Sequence, residues 1–305
     1  MRAPDHSPSS GGPAVRKDLR RFNSQRIVYE TFRIFGSNWV ALAAVFTVWG
    51  LAVAGSAYFW SGWLLGRPDP SINILAPAYR PIDPGEAWAI LIEVTIVFLE
   101  AAAIGSTLAG GVAFLAVQQR RGVDTEFSEA FMKGVERYGR VLIGSLVTVF
   151  VPTVLLTLPG LLFPVASAQP NDLNLAFVFL FQGVALIVGL AIVVCLFLYM
   201  PIVMVENATS FRGLRKSWTM TKGRRGVILG ALILLGLAQA SVRLAVSVLG
   251  GAFNDIYIEI AGDAIFAGIT GSWTVIAAGV IYSWIVDSTL AAANAGPSAP
   301  FTVGR

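Results

Sequence analysis

Residues 38–66 read NWVALAAVFTVWGLAVAGSAYFWSGWLLG, and none of them is charged. A helix rising ~1.5 Å per residue needs ~20 residues to cross a ~30 Å hydrocarbon core. The stretch exceeds that, and it lacks the in–out alternation of a barrel strand, so a membrane-spanning helix is expected at 38–60. Working outward, apolar runs of the same kind recur at 89–117, 141–163, 174–200, 226–250 and 262–286. The fold class that follows is all-α integral membrane, a bundle of six transmembrane helices.

Composition agrees. Hydrophobic residues make up 55% of the chain and charged residues 13%, against about 25% charge in an average soluble domain. Residues 1–20, with Pro4, Pro8, Gly11, Gly12 and Pro13, read as a disordered cytoplasmic tail. The first apolar run begins near Trp39, too late and too long for a secretory h-region. The membrane domain is expected at 21–290, with a second loose tail at 291–305.

Function classes narrow at once. Cys195 is the only cysteine, so no intramolecular disulfide forms. It reads as a small apolar core residue. His6, the only histidine, lies in the N-terminal tail, which removes histidine-based catalysis and the commonest transition-metal sites. No glycine-rich phosphate loop, nucleophile elbow or metal-ligand cluster is present, so catalytic residues, metal and cofactors are all expected to be none.

The distribution of lysine and arginine sets the orientation. Arg16, Lys17, Arg20, Arg21, Arg26 and Arg33 precede span one; Arg120, Arg121, Lys133, Arg137 and Arg140 follow span two. Arg212, Arg215, Lys216, Lys222, Arg224 and Arg225 follow span four. The opposite loops carry only Arg67 and Arg80. Both termini are therefore expected in the cytoplasm, and the pI near 9.4 needs no nucleic-acid partner.

Each basic segment also carries an apolar stripe at helical spacing. Val28, Phe32 and Phe35 form the first, Phe127, Phe131 and Tyr138 the second, and Phe211, Leu214 and Trp218 the third. Such helices suit the cytoplasmic surface of a membrane. The chain then divides into three parallel repeats, at about 21–120, 121–206 and 207–290. Each is an amphipathic interfacial helix followed by a transmembrane hairpin.

Charges within the spans attract attention because each costs roughly 2.5–3.5 kcal/mol at mid-membrane on an insertion scale. Glu93 and Glu100 share one face of span two, Gln182 lies in span four, and Gln239 and Arg243 share a face of span five. An intramembrane polar cluster is expected, with Arg243 paired to Glu93 or Glu100. It is either a packing ion pair or a site for an anionic headgroup, an ion or a proton. Pro152, Pro159 and Pro164 should kink or end span three. Gly105, Ala109, Gly110 and Ala113 favour close helix contact in span two.

The stretch 199–223, YMPIVMVENATSFRGLRKSWTMTKG, is the most distinctive. Pro201 is expected to end span four, Glu206 to pair with Arg212 or another repeat, and Ser210 to cap the next helix. Lys222 lies near that helix's C-terminus, where positive charge is favourable. The pattern of Pro201, Glu206, Ser217, Trp218, Lys222 and Gly223 resembles a family of polytopic bacterial and archaeal membrane proteins. That family includes the YciC-like inner-membrane proteins and the membrane domain attached to some glycerophosphoryl diester phosphodiesterases. The resemblance implies the membrane part alone, since a barrel-sized catalytic domain with its histidines and carboxylates has no counterpart here. It also implies a bacterial cytoplasmic membrane.

Three functions are consistent with these features. One is a non-enzymatic scaffold, assembly or lipid-organising module, its partners being anionic headgroups at the cytoplasmic face and a cytosolic protein. Another is a transporter or transporter subunit using the Glu/Arg/Gln cluster. The last is the membrane part of a glycerophosphodiester enzyme system.

Overall fold

The computed structural model describes residues 23–65, 84–151, 172–251 and 256–294. These residues are all helix and connecting turn, as a helical membrane protein requires. The elements are α1 (Ser24–Ser37), α2 (Trp39–Leu65), α3 (Pro84–Arg120), α4 (Phe127–Glu136) and α5 (Tyr138–Ser145). Next come α6 (Asp172–Leu196), α7 (Tyr199–Glu206), α8 (Ser210–Met220), α9 (Arg225–Gly251), α10 (Ile256–Thr270) and α11 (Trp273–Asn294). Five segments are long and apolar enough to cross a membrane: Trp39–Leu64, Thr95–Arg120, Phe179–Glu206, Arg225–Val248 and Ala264–Ala291. The expected third span enters through α5 and a π turn at Leu146–Phe150. Residues 152–163 of that span, with Pro152 and Pro159, and Pro164 just after them lie outside the described residues, as do residues 1–20 of the N-terminal tail.

Two spans differ from the expected single helices. Span six is broken at Gly271–Ser272 into α10 and α11, and α11 continues to Asn294, past the expected start of the C-terminal tail. Span four is broken at Phe197–Leu198, and Pro201 does not end it: the apolar segment runs on through α7 to Glu206. Proline at 201 sits in the first turn of α7, where its missing N–H costs nothing within the helix. The break is stitched from outside, since the Ser217 hydroxyl accepts from Leu198 N–H at 3.1 Å and donates to the Cys195 carbonyl at 3.1 Å.

The three amphipathic segments all fold as short helices whose apolar stripes pack half-buried on the core in α1 and α4 and only through Leu214 in α8, while the fully enclosed positions are others. The most enclosed positions are Ile27, Thr31 and Ile34 in α1, Ala130 and Gly134 in α4, and Gly213 and Ser217 in α8. Small residues let one helix axis approach another closely. A Cβ at Gly134 would lie 2.3 Å from the Thr107 carbonyl oxygen, and one at Gly213 would lie 2.8 Å from Val203 Cγ2. Val28, Phe32, Phe35, Phe127, Phe131 and Leu214 flank these contacts half-buried. Phe211 and Trp218 instead face outward, 77% and 51% exposed.

The pairing of these helices has a regular order. α4 packs on α3, α8 on α7, and α1 on α11, so each docks on the return arm that precedes it, the first taking the last. Each also runs antiparallel to its arm. Gly111 meets Ala130 while Thr107 meets Gly134; Val203 meets Gly213 while Leu198 meets Ser217. Arg26 lies over Trp284 while Phe35 meets Trp273. The tightest core lies at this basic end, around Ile27, Val112, Leu198, Ile228 and the run Ile276–Ile285.

Candidate functional site

Three of the six signature residues, Glu206, Lys222 and Gly223, line an open cleft of about 630 Å³ between α7, α8 and α11, and Pro201 lies outside it. Glu206, Lys216, Lys222, Gly223, Arg224 and Tyr282 supply its polar side, and Met220, Ile285, Val286 and Leu290 its apolar wall. Local sequence explains the shape. Asn207 takes a left-handed φ of 55° and turns the chain after α7. Gly223, at φ 80°, ends the turn after α8 and lets the chain swing into α9.

Within the cleft Glu206 is held from two sides. Lys216 Nζ lies 2.5 Å from Oε2, and the Tyr282 hydroxyl donates to Oε1 at 2.8 Å. The carboxylate thus pairs with Lys216 and not with Arg212, and it ties the end of α7 to the return arm of the third hairpin. Arg224 is half-buried and donates to the Ser288 hydroxyl at 3.3 Å. Burial pushes its guanidinium below the ordinary arginine range. Lys222 is exposed at the rim. Ser217 and Trp218 lie outside the lining: Ser217 is fully buried at the helix break, and Trp218 stacks under Arg225 at 4.8 Å.

Ser210 does not cap α8, because its hydroxyl donates to the Arg140 carbonyl at 3.0 Å. Arg140 in turn donates to Asn207 Oδ1 at 2.6 Å, and Arg137 donates to the carbonyls of Val203 and Met204. Guanidinium groups at the C-terminus of α7 satisfy its last carbonyls and complement its dipole.

A second junction was not apparent in the sequence. Glu30, almost fully buried, accepts from Arg26 Nε at 3.2 Å and lies 3.4 Å from Arg120 Nε. Arg120 also donates to the Val280 carbonyl at 3.0 Å and lies 5.4 Å over the Trp284 ring. This links α1, α3 and α11. The one available signal was an acidic residue within a segment otherwise rich in arginine.

The intramembrane residues do not form the expected cluster. Glu100 accepts from Ser56 and from Trp60 Nε1, both on α2. Gln239 donates to the Thr270 carbonyl at 3.3 Å, and Arg243 lies 5.5 Å over Phe266, both on α10. Glu93 is buried with Oε2 unbonded. Neither glutamate contacts Arg243. The physical reason is the packing order, in which α2 meets α3 on one side and α10 on the other, with α9 beyond α10. Gln182 is half-buried on α6. Small residues of span two do make close contacts, Gly105 against Trp49 and Gly110 against Met204. A separate cavity of about 270 Å³ between Phe46, Trp49, Phe98, Met200 and Val275 is almost wholly apolar. Among the described residues no three His, Cys, Asp or Glu side chains gather to hold a metal ion.

No curated protein and no solved structure matches the chain. A family model described as a domain of unknown function, DUF7847, matches residues 32–299. With that much of its length covered, this helical membrane protein belongs to the DUF7847 family.

Proposed function

We propose that the chain is a six-pass protein of a bacterial cytoplasmic membrane with both termini inside. In this proposal it has no catalytic role and organises anionic lipid, and bound protein, at the cytoplasmic face. Its architecture is three parallel repeats closed in a ring, each amphipathic helix bridging to the hairpin before it. The observation that carries this is a repeated bond. Ser24 and Ser210, at equivalent places in α1 and α8, each donate at 3.0 Å to a carbonyl at the entry of another hairpin, Val227 and Arg140. With their inner faces so occupied, the helices turn aromatic and basic side chains outward. Phe211, Arg212, Arg215 and Trp218 on α8 and Tyr29 and Arg33 on α1 are all exposed. Aromatic and cationic residues together suit the headgroup region of an anionic leaflet.

The test is native mass spectrometry of full-length protein released from mixed phosphatidylcholine and phosphatidylglycerol nanodiscs. Wild type should retain phosphatidylglycerol above its bulk share, and Arg212→Gln/Arg215→Gln should lower that enrichment several-fold. Equal enrichment in both would sink the surface-helix mechanism. The transporter alternative would gain instead if solute flux, assayed in vesicles, disappeared in Glu100→Gln or Arg243→Gln.

A further inference from the structure

We propose that the cleft between α7, α8 and α11 is a discrete binding site for the phosphate of an amphiphilic phosphoester, with the apolar part of the ligand against α11. This rests on the lipid-handling role above but concerns one discrete cleft, distinct from the outward helix faces.

The charge inventory points to an anion. Glu206 is the acidic side chain of the cleft, and it is already engaged by Lys216 and Tyr282. Arg224 is half-buried, and its side chain's described partner is a neutral hydroxyl, that of Ser288. A guanidinium taken from water without a carboxylate is costly unless another anion meets it. Lys222 stands at the rim of the same cleft without a described partner, two residues away on the same turn. A fork-shaped guanidinium beside a mobile ammonium is well suited to a phosphate, which takes several charge-assisted hydrogen bonds. Thr219 and Thr289 add hydroxyls to the lining.

The remaining wall selects for an amphiphile. Met220, Ile285, Val286 and Leu290 line the same cleft as its charges, and Leu290 is 58% exposed. A volume of about 630 Å³ lies within the roughly 300–1,000 Å³ usual for small-molecule sites. It accommodates a headgroup and glycerol with the first part of a chain, whereas a free inorganic phosphate would leave the apolar wall uncovered.

The experiment uses full-length protein in phosphatidylcholine nanodiscs doped with phosphatidylglycerol. Displacement of one retained lipid is followed by native mass spectrometry as glycerol 3-phosphate or inorganic phosphate is added. Lys222→Gln/Arg224→Gln should weaken retention about tenfold, the loss expected when charged hydrogen bonds are removed. Lys222→Arg should bind as wild type, and unchanged elution on size exclusion guards against misfolding. Arg212→Gln/Arg215→Gln should leave this single lipid in place while lowering overall phosphatidylglycerol enrichment. The two mechanisms therefore fail separately. Displacement by millimolar glycerol 3-phosphate would keep the phosphoester site but make its ligand soluble. Retention unchanged in the Lys222/Arg224 variant, with no displacement by either anion, would overturn the proposal.

Discussion

Compare the run Ile276–Ile285 of α11 with the stretch Phe179–Ile187 of α6. Every residue from Ile276 to Ile285 is buried, whereas Phe179, Leu180, Phe181, Val184, Leu186 and Ile187 of α6 are all exposed. The first region is enclosed by protein, its polar groups met by Arg120, Glu206 and Gln239 from neighbouring helices. The second presents apolar side chains outward, as a face against lipid tails does. Apolar lipid gives helices little reason to associate through hydrophobicity, so the hairpins must be held together by close packing and polar bonds. Here those are concentrated at the basic end, and the largest mutational effects should be found there.

The strongest way to break that asymmetry is Glu30→Ala. It leaves Arg120 enclosed without its carboxylate, and removing one partner of a buried pair costs about 3–5 kcal/mol. With side chains only 10% and 14% exposed, the pair is little screened by solvent. Denaturant unfolding of the full chain in detergent should register the loss. A midpoint equal to wild type would mean that the Val280 carbonyl, the Trp284 face and the charge of nearby Asp287 suffice for Arg120.

Next is Gly134→Ala. Its Cβ would meet the Thr107 carbonyl oxygen at 2.3 Å and Gly111 N at 3.0 Å, both backbone atoms that cannot swing aside. Overpacking of this kind costs about 1–3 kcal/mol, enough to outweigh the gain of about 1 kcal/mol in helix propensity. Thermal unfolding should show α4 loosened from α3. A stabilised variant would mean that the two helices are not in backbone contact.

These positions also mark how far the sequence could be followed. Runs of uncharged residues announce spans because length and hydropathy are local properties, and Trp39–Leu65 and Arg225–Gly251 fall where the runs do. Amphipathic helices were legible for the same reason. Which face docks was legible for α1, where Val28 and Phe32 pack on the core, and not for α8, where Phe211 and Trp218 dominate any count of apolar character yet face outward. In α4 and α8 the closest approach is made by Ala130, Gly134, Gly213 and Ser217, whose value is their small size. The expected pair of Arg243 with Glu93 or Glu100 failed on depth alone: similar depth does not make two helices neighbours, and α2 and α10 stand between α3 and α9. Within the cleft, Glu206 and Lys222 could be singled out from a local pattern. Tyr282 could not, since it enters from a helix 76 residues further along the chain.

Ser217→Ala probes the seam between the two regions at the break in span four. The Leu198 N–H loses its acceptor, while the Cys195 carbonyl keeps Thr221 as a donor at 3.2 Å. One orphaned buried donor corresponds to about 1–3 kcal/mol, and the surviving Thr221 bond places the expected loss at the lower end. Hydrogen exchange should quicken first at the start of α7. Exchange unchanged there would show that water or Thr221 takes over the role of the hydroxyl.

Gly236→Ala should have the smallest effect and the opposite sign. Gly236 lies within α9, exposed, with nothing within 4 Å of an added Cβ. Replacing glycine inside a helix by alanine removes unfolded-state freedom and stabilises by roughly 0.5–1 kcal/mol where the new methyl meets no obstacle. The same exchange is thus expected to hurt at Gly134 and to help at Gly236, which isolates packing from propensity. A destabilised Gly236→Ala would mean that this face of α9 is covered, by a second copy or by a partner helix, and that the lipid-facing half of the molecule is smaller than its exposed side chains suggest.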